Sequence, residues 1–127
     1  MATYQGEAYL KEQLESIIPQ LSENDQLVIS DDGSTDGTSQ IVMGFSDPRI
    51  CFFCNINRTG HPKDNFESAL LHANGDIYVL SDQDDIWYPD RINRIRQHFR
   101  NGGLGLLLSN ALIIDRDGRK TGVDFFS

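Results

Sequence analysis

The stretch QLVISDDGSTDGT, residues 26–38, carries three signals in succession. A short apolar run, Leu27 to Ile29, ends in two acids, Asp31 and Asp32. Glycine and hydroxyl residues follow, a composition that suits a tight turn leading into a helix N-cap. A buried strand that breaks into a polar turn and then a helix is one step of an α/β fold. Working outward, the same step recurs. RICFFC, residues 49–54, is a second β-type run, followed by the loop NINRTGHP and the helical stretch KDNFESALLHANG, where Gly75 is expected at the C′ position. DIYVLS, residues 76–81, is a third apolar run ending in acids.

The helical segments show the complementary period. Leu10, Leu14, Ile17, Ile18 and Leu21 recur at helical spacing within residues 7–21. Ile41, Val42 and Phe45 mark a short helix that stops before Pro48. Pro89 suits the first turn of a helix whose Ile92, Ile95 and Phe99 face inward, closed by Asn101-Gly102-Gly103. LGLLLSNALIID, residues 104–115, is apolar and leads into an RDGR turn. Helices alternating with uniformly apolar strands predict an α/β fold with a mainly parallel sheet covered on both faces. Ligands bind such sheets at the carboxyl ends of the strands. Asp31-Asp32 and the Asp82–Asp85 cluster both lie at predicted strand carboxyl ends.

Composition narrows the classes. At 127 residues the chain has room for one core, and 39% hydrophobic content is that of a globular sequence. A formal net charge of −8 argues against a general affinity for nucleic acid or anionic membranes. The longest apolar region, Leu104 to Ile114, is interrupted by Ser109 and Asn110 and is too short to span a bilayer. The first residues lack the basic and apolar regions of a signal peptide, so a cytoplasmic location is expected, extending to the inner membrane face. Cys51 and Cys54 fall three apart within a β-type run, on opposite faces, with no second pair or histidine nearby. Reduced core thiols are the expectation. The chain opens with almost no strand before its first helix and ends just after a β-type segment. A truncated sheet, and association into a homo-oligomer through its open edges, are expected.

LSDQDDIWYPDR, residues 80–91, places three carboxylates within four positions. Crowded like charges are costly unless something positive holds them together. An extended backbone at a strand end lets Asp82 and Asp84 project to one side, suiting a hard cation such as Mg²⁺ or Mn²⁺ that shares its oxygen ligands with phosphates. Alternatively the acids cap the following helix, favourable at its positive end. For Asp31 and Asp32 ligand binding and turn formation are equally open. No Gly-Lys-Ser/Thr follows, so the loop is not a Walker A phosphate loop, and neither acid cluster fits the EF-hand register.

Together MATYQGEAYLKEQLESI, VISDDGSTDGT and NFESALLHANGDIYVLSDQDDIWYPDRI resemble, in order and spacing, the nucleotide-sugar-binding half of a family 2 glycosyltransferase with the GT-A fold. The resemblance runs from Met1 to about Asp117 and treats residues 1–127 as a single fragment of such a domain. SDQDDIW is most similar to bacterial rhamnosyltransferase-like enzymes of surface polysaccharide synthesis. It implies that Ala2, Thr3 and Tyr4 line a base pocket, with Tyr4 stacking on a pyrimidine, and that Glu7 lies beside the ribose or base. Asp32 would accept the imide N–H of uracil or thymine. Asp82-Gln83-Asp84 would be the D-x-D element, with Asp82 near ribose and metal and Asp84 binding the Mn²⁺ or Mg²⁺ that bridges the diphosphate. Lys63 would lie near the nucleotide, Trp87 and Pro89 would shape the turn behind the acids, and Arg91 would pair locally. The implied partners are a UDP- or dTDP-sugar donor and a glycan or lipid-linked acceptor, with no nucleic acid.

An inverting transferase also needs a carboxylate to deprotonate the acceptor hydroxyl. In the family that residue lies past the D-x-D element, beyond this chain, while Asp115 and Asp117 sit in a turn sequence. Two other readings stand beside the resemblance: a nucleotide-binding module without catalysis, and a phosphatase with an aspartyl nucleophile. The second lacks the expected hydroxyl residue after DQDDI.

Overall fold

The structure is a computed structural model that describes all residues other than Ile56, Asn57, Thr59, Asn101, Leu104 and Ser127. The expected stop at Asn101, parts of the NINRTGHP loop and the start of the apolar run at Leu104 therefore lie outside the described residues. The chain divides into two compact units, Met1–Asn93 and Arg94–Ser127.

The first unit is built on a parallel sheet in the order β1 (Ala2–Thr3), β2 (Leu27–Asp31), β3 (Ile50–Cys54). β2 is buried along its whole length because it has a strand on each side and helices over it. Its alternation divides the work. Leu27 and Ile29 join Leu10, Leu14 and Ile17 of helix α1 (Leu10–Ile17) and Val42 of α2 (Thr38–Gly44) in one core. Val28 and Ser30 face the other way, where α3 (Pro62–Leu71) packs on the sheet. There the Ser30 hydroxyl and the α3 Ser68 hydroxyl both donate to Asn55 Oδ1. The α/β architecture with a parallel sheet is therefore as expected.

Three local expectations change. Residues 76–81 keep the β-type alternation, with Val79 and Ser81 turned inward and Tyr78 and Leu80 exposed, but they form no strand. Their place is taken by side-chain bonds from one face of α1 and its continuation. Gln13 donates to Ser81 Oγ and to the Asp82 carbonyl, Ser16 Oγ accepts from Trp87 N–H, and Gln20 spans Tyr88 O and Ile92 N. Gly75 is not at C′, since α3 ends at Leu71 with His72 as its cap. The thiols are free but not core: β3 is an edge strand, leaving Cys51 half-buried and Cys54 exposed.

The end of the first helical segment is tied to β3. Pro19 sits in a 3₁₀ turn, Ile18–Gln20, whose carbonyls run out of intrahelical partners. Arg49 donates to Leu21 O and Ile18 O and is itself held by Asp47. The final helix α4 (Arg91–Arg100) begins in this unit, with Ile92 packed on the core.

In the second unit β4 (Leu112–Ile114) pairs antiparallel with β5 (Lys120–Asp124). The RDGR turn between them forms as expected. Asp115 Oδ1 accepts the amides of Asp117 and Arg119, and Gly118 takes a left-handed φ of 76°. Among the described residues no helix is long and apolar enough to cross a membrane.

The Asp47–Arg49 link carries a pH signature. The Arg49 guanidinium and amide, bonded to Asp47, lower its carboxyl from 3.8 to about 2. A depressed folded pKa stabilises the fold above pH 3.8, and that contribution disappears as the pH falls through about 2. Asp47→Asn is therefore expected to unfold at lower urea concentration than the parent at neutral pH, with the gap closing between pH 3.8 and about 2. Urea titrations across that range check this, and a gap that is constant with pH would contradict it.

Candidate functional site

The site begins with the loop that follows β1. Each of four successive backbone amides there is accepted by a side chain. Tyr4 N–H donates to Gln83 Oε1 at 2.9 Å, Gln5 N–H to Ser34 Oγ at 2.8 Å, Gly6 N–H to Thr38 Oγ1 at 2.9 Å, and Glu7 N–H to Asp36 Oδ2 at 3.0 Å. Gln5 holds a left-handed φ of 51°, and its side chain returns to accept Thr35 N–H at 2.7 Å. The GSTDGT segment thus serves as a set of acceptors that fixes the loop beside it. Bonding to the Thr38 hydroxyl, first, and then to the amides of Glu7 and Thr38 keeps the Asp36 carboxyl below its ordinary range.

Asp31, which ends β2, and Asp32, which follows it, have different surroundings. Asp31 is fully buried, and its oxygens accept from the hydroxyls of Thr3 (2.9 Å) and Ser34 (2.6 Å) and the amides of Gly33 (3.1 Å) and Ser34 (2.8 Å). Asp32 points the other way, toward a cavity of about 300 Å³, with Oδ2 accepting Gly60 N–H at 2.9 Å. The Asn55 amide approaches its other oxygen at 3.5 Å, the long limit of a hydrogen bond.

That cavity has three walls. Ala2, Thr3 and Tyr4 form one, Asp82, Gln83 and Asp84 a second, and Arg58, Gly60 and His61 a third. Arg58 packs over the Tyr4 ring at 4.4 Å and donates Nε to the Asp32 carbonyl at 3.1 Å. Gly33, at φ 77°, gives it room, because a Cβ there would meet the Arg58 chain at 2.9 Å. The acids behave as a crowd. Burial, followed by the nearby Asp82 and Asp84, raises the Asp85 carboxyl above its ordinary range against the opposing pull of Arg91. No group of three or more His, Cys, Asp or Glu side chains suited to holding a metal occurs among the described residues. Asp82 and Asp84 supply two carboxylates to the cavity. Such a pair fits a hard cation whose other positions are filled by water and a ligand's phosphates, and does not form an all-protein cage.

The structure brings Ala2, Thr3, Tyr4, Asp32, Asp82 and Asp84 to one cavity. It does not bring Glu7 or Lys63 there. The Glu7 carboxylate accepts Gly37 N–H at 3.0 Å, at the start of α2, and Lys63 is exposed in the first turn of α3. Thr3 lines the cavity by position while its hydroxyl is spent on Asp31. Sequence reasoning missed Arg58, Gln83 and Asn65, whose amide donates to Thr3 O at 3.0 Å. The available signals were weak: a single cation in a glycine-containing loop, and an amide flanked by acids.

A sequence model of glycosyl transferase family 2 matches residues 1–124. The chain belongs to this family. It is 38% identical over 130 residues to the dTDP-rhamnosyl transferase RfbG of Shigella flexneri, a match covering 98% of this chain and 45% of RfbG. It is 27% identical to the UDP-Glc:alpha-D-GlcNAc-diphosphoundecaprenol beta-1,3-glucosyltransferase WfgD of Escherichia coli, over 92% of this chain and 46% of WfgD. The chain thus spans a little under half the length of these relatives. Among solved structures, S. aureus TarS 1-349 in complex with UDP matches with a TM-score of 0.73 and 26% identity, over 79% of this chain and 30% of that one. The family 2 assignment and the GT-A fold expected from the sequence therefore both hold.

The division between the two β2 acids is testable by stability. Asp31→Ala strands several buried donors and is expected to cost about 3 kcal/mol of unfolding free energy, whereas Asp32→Ala should cost clearly less. Denaturant titration of both variants checks this, and equal costs would contradict the division.

Proposed function

We propose that this chain is the nucleotide-sugar-binding part of a glycosyltransferase that moves a sugar from a UDP- or dTDP-sugar to a glycan or lipid-linked acceptor in bacterial surface polysaccharide synthesis. The observation that carries the reading is the meeting of Asp32, the Tyr4 wall and the Asp82–Asp84 pair in one cavity. Family membership supports it, as do the transferases it is similar to, the UDP in the TarS complex, and WfgD's undecaprenol-linked substrate. A lipid-linked acceptor would place the reaction at the cytoplasmic face of a membrane.

In this reading the residues divide by chemistry. Asp32, fixed by Gly60 N–H, offers its carboxylate to the imide N–H of uracil or thymine. Tyr4 flanks the base, with its ring backed by Arg58. The Arg58 guanidinium also brings one positive charge to a cavity whose lining includes Asp32, Asp82 and Asp84. Asp82 and Asp84 would hold Mn²⁺ or Mg²⁺, which would supply Lewis-acid stabilisation of the charge that grows on a departing diphosphate.

Calorimetry with UDP and dTDP, in Mn²⁺ and in chelator, separates these roles. Asp32→Ala should lose about 1.5–3 kcal/mol with either nucleotide in both conditions, the scale of one hydrogen bond to a charged group. Asp84→Ala should lose the Mn²⁺-dependent gain while leaving metal-free binding nearly intact. Equal wild-type affinity in Mn²⁺ and chelator would remove the cation role, and an unchanged Asp32→Ala would remove the base contact.

A further inference from the structure

Gln83 stands between the two acids of the cavity, yet its side chain turns toward the opposite wall. Its carboxamide accepts Tyr4 N–H at 2.9 Å and donates Nε2 to Tyr4 O at 2.9 Å. Both backbone polar groups of Tyr4 are thereby matched, as a neighbouring strand would match them. The partner is 79 residues away in sequence and belongs to the base-side loop. Behind Gln83 the acid segment is anchored in turn, since the fully buried Gln13 amide donates to the Asp82 carbonyl at 3.1 Å.

Gly6 provides a second, independent sign of the same contact. Its φ is not in the left-handed region, so its backbone torsions do not demand glycine. What demands it is space: a Cβ would lie 2.5 Å from Gln83 Oε1 and 3.0 Å from its amide carbon. The glycine is fitted to the Gln83 carboxamide.

We propose that Gln83 is a positioning residue that couples the two ends of the cavity, so that ordering of the Tyr4 loop and presentation of Asp82 and Asp84 occur together. The inference rests on the nucleotide reading above and adds to it a route between base and cation. A base-side ligand that fixes Tyr4 also fixes the carbonyl and amide that Gln83 grips. The peptide on either side of Gln83 carries the two carboxylates. Cation and nucleoside therefore bind cooperatively through Gln83, in addition to any bond between them through the diphosphate.

Two substitutions open this contact by different routes. Gln83→Ala deletes the carboxamide. Gly6→Ala leaves Gln83 in the sequence but pushes on Oε1, the free end of a flexible side chain, which can swing away without moving the backbone. Hydrogen exchange at the Tyr4 amide reads the contact directly, and calorimetry with UDP in Mn²⁺ and in chelator reads the coupling. In both variants, with circular dichroism and thermal midpoint retained, Tyr4 exchange should accelerate by about tenfold or more and the Mn²⁺-dependent gain should shrink about tenfold, the scale of one or two hydrogen bonds. Gly6→Ala should add little in the Gln83→Ala background, because the clash is then gone. Protection of Tyr4 retained in both variants, a Mn²⁺ gain unchanged in both, or a Gly6→Ala effect of equal size in either background would overturn the proposal. Failure of the underlying reading shows earlier and differently, as wild-type protein that binds neither UDP nor dTDP or gains nothing from Mn²⁺.

Discussion

The site depends on how the backbone from Tyr4 to Glu7 is held. This loop leaves a two-residue strand and draws these amide bonds from side chains, not from a ladder, with the bond at Gly6 buried and the other three at the surface. Each of the four is met by an acceptor on a side chain: Gln83, Ser34, Thr38 and Asp36. Three of these belong to the segment after β2, so the hydroxyl-rich stretch is defined by what it accepts. The same bonds explain the strained Gln5, whose left-handed φ is held by bonds in both directions to residues 34 and 35.

From this constraint the division of labour between Asp31 and Asp32 follows. A strand turns successive side chains to opposite faces. Asp31 turns inward, where the amides of Gly33 and Ser34 and two hydroxyls converge, and it becomes the hub that fixes the turn. Asp32 turns toward the cavity, where its position is set by Gly60 and by the backbone on either side. A turn-fixing acid and a cavity-lining acid thus sit one residue apart. Both acids are buried, and the residue pattern alone left both roles open for each, because which one faces the cavity depends on strand register, which neighbours decide.

Legibility followed the range of the interaction. The apolar period of α1, the buried run of β2 and the acid at its carboxyl end are local patterns, and they appear where the sequence predicts them. Strand formation at residues 76–81 was overestimated because the alternation Val79-Leu80-Ser81 records which side chain faces in, whereas a ladder also needs a partner backbone. Gly75 was overread as a helix stop for a similar reason: a Gly three residues beyond the cap is a composition signal without a left-handed torsion. Arg58 and Gln83 were invisible because each is defined by contact with Tyr4, more than fifty positions away. Glu7 and Lys63 were assigned by resemblance alone, and the geometry gives Glu7 a helix-start role instead.

The acid segment shows what replaces a ladder when a chain must present charge. A regular strand through Asp82 would commit its backbone to a neighbour. Here Gln13, Ser16 and Gln20, spaced three and four apart along α1 and its 3₁₀ extension, bind the segment from below through their side chains. Gln83, within the segment, ties it to the Tyr4 backbone at the side. All four are neutral. Basic residues in those positions would have held the segment as firmly, but they would also have neutralised the acids. Neutral amides and hydroxyls fix the peptide without compensating the carboxylates, and burial first, then the nearby Asp82 and Asp84, pushes the Asp85 carboxyl up. A cavity assembled this way keeps its shape and its acidic charge as separate properties, because the groups that fix the one do not neutralise the other.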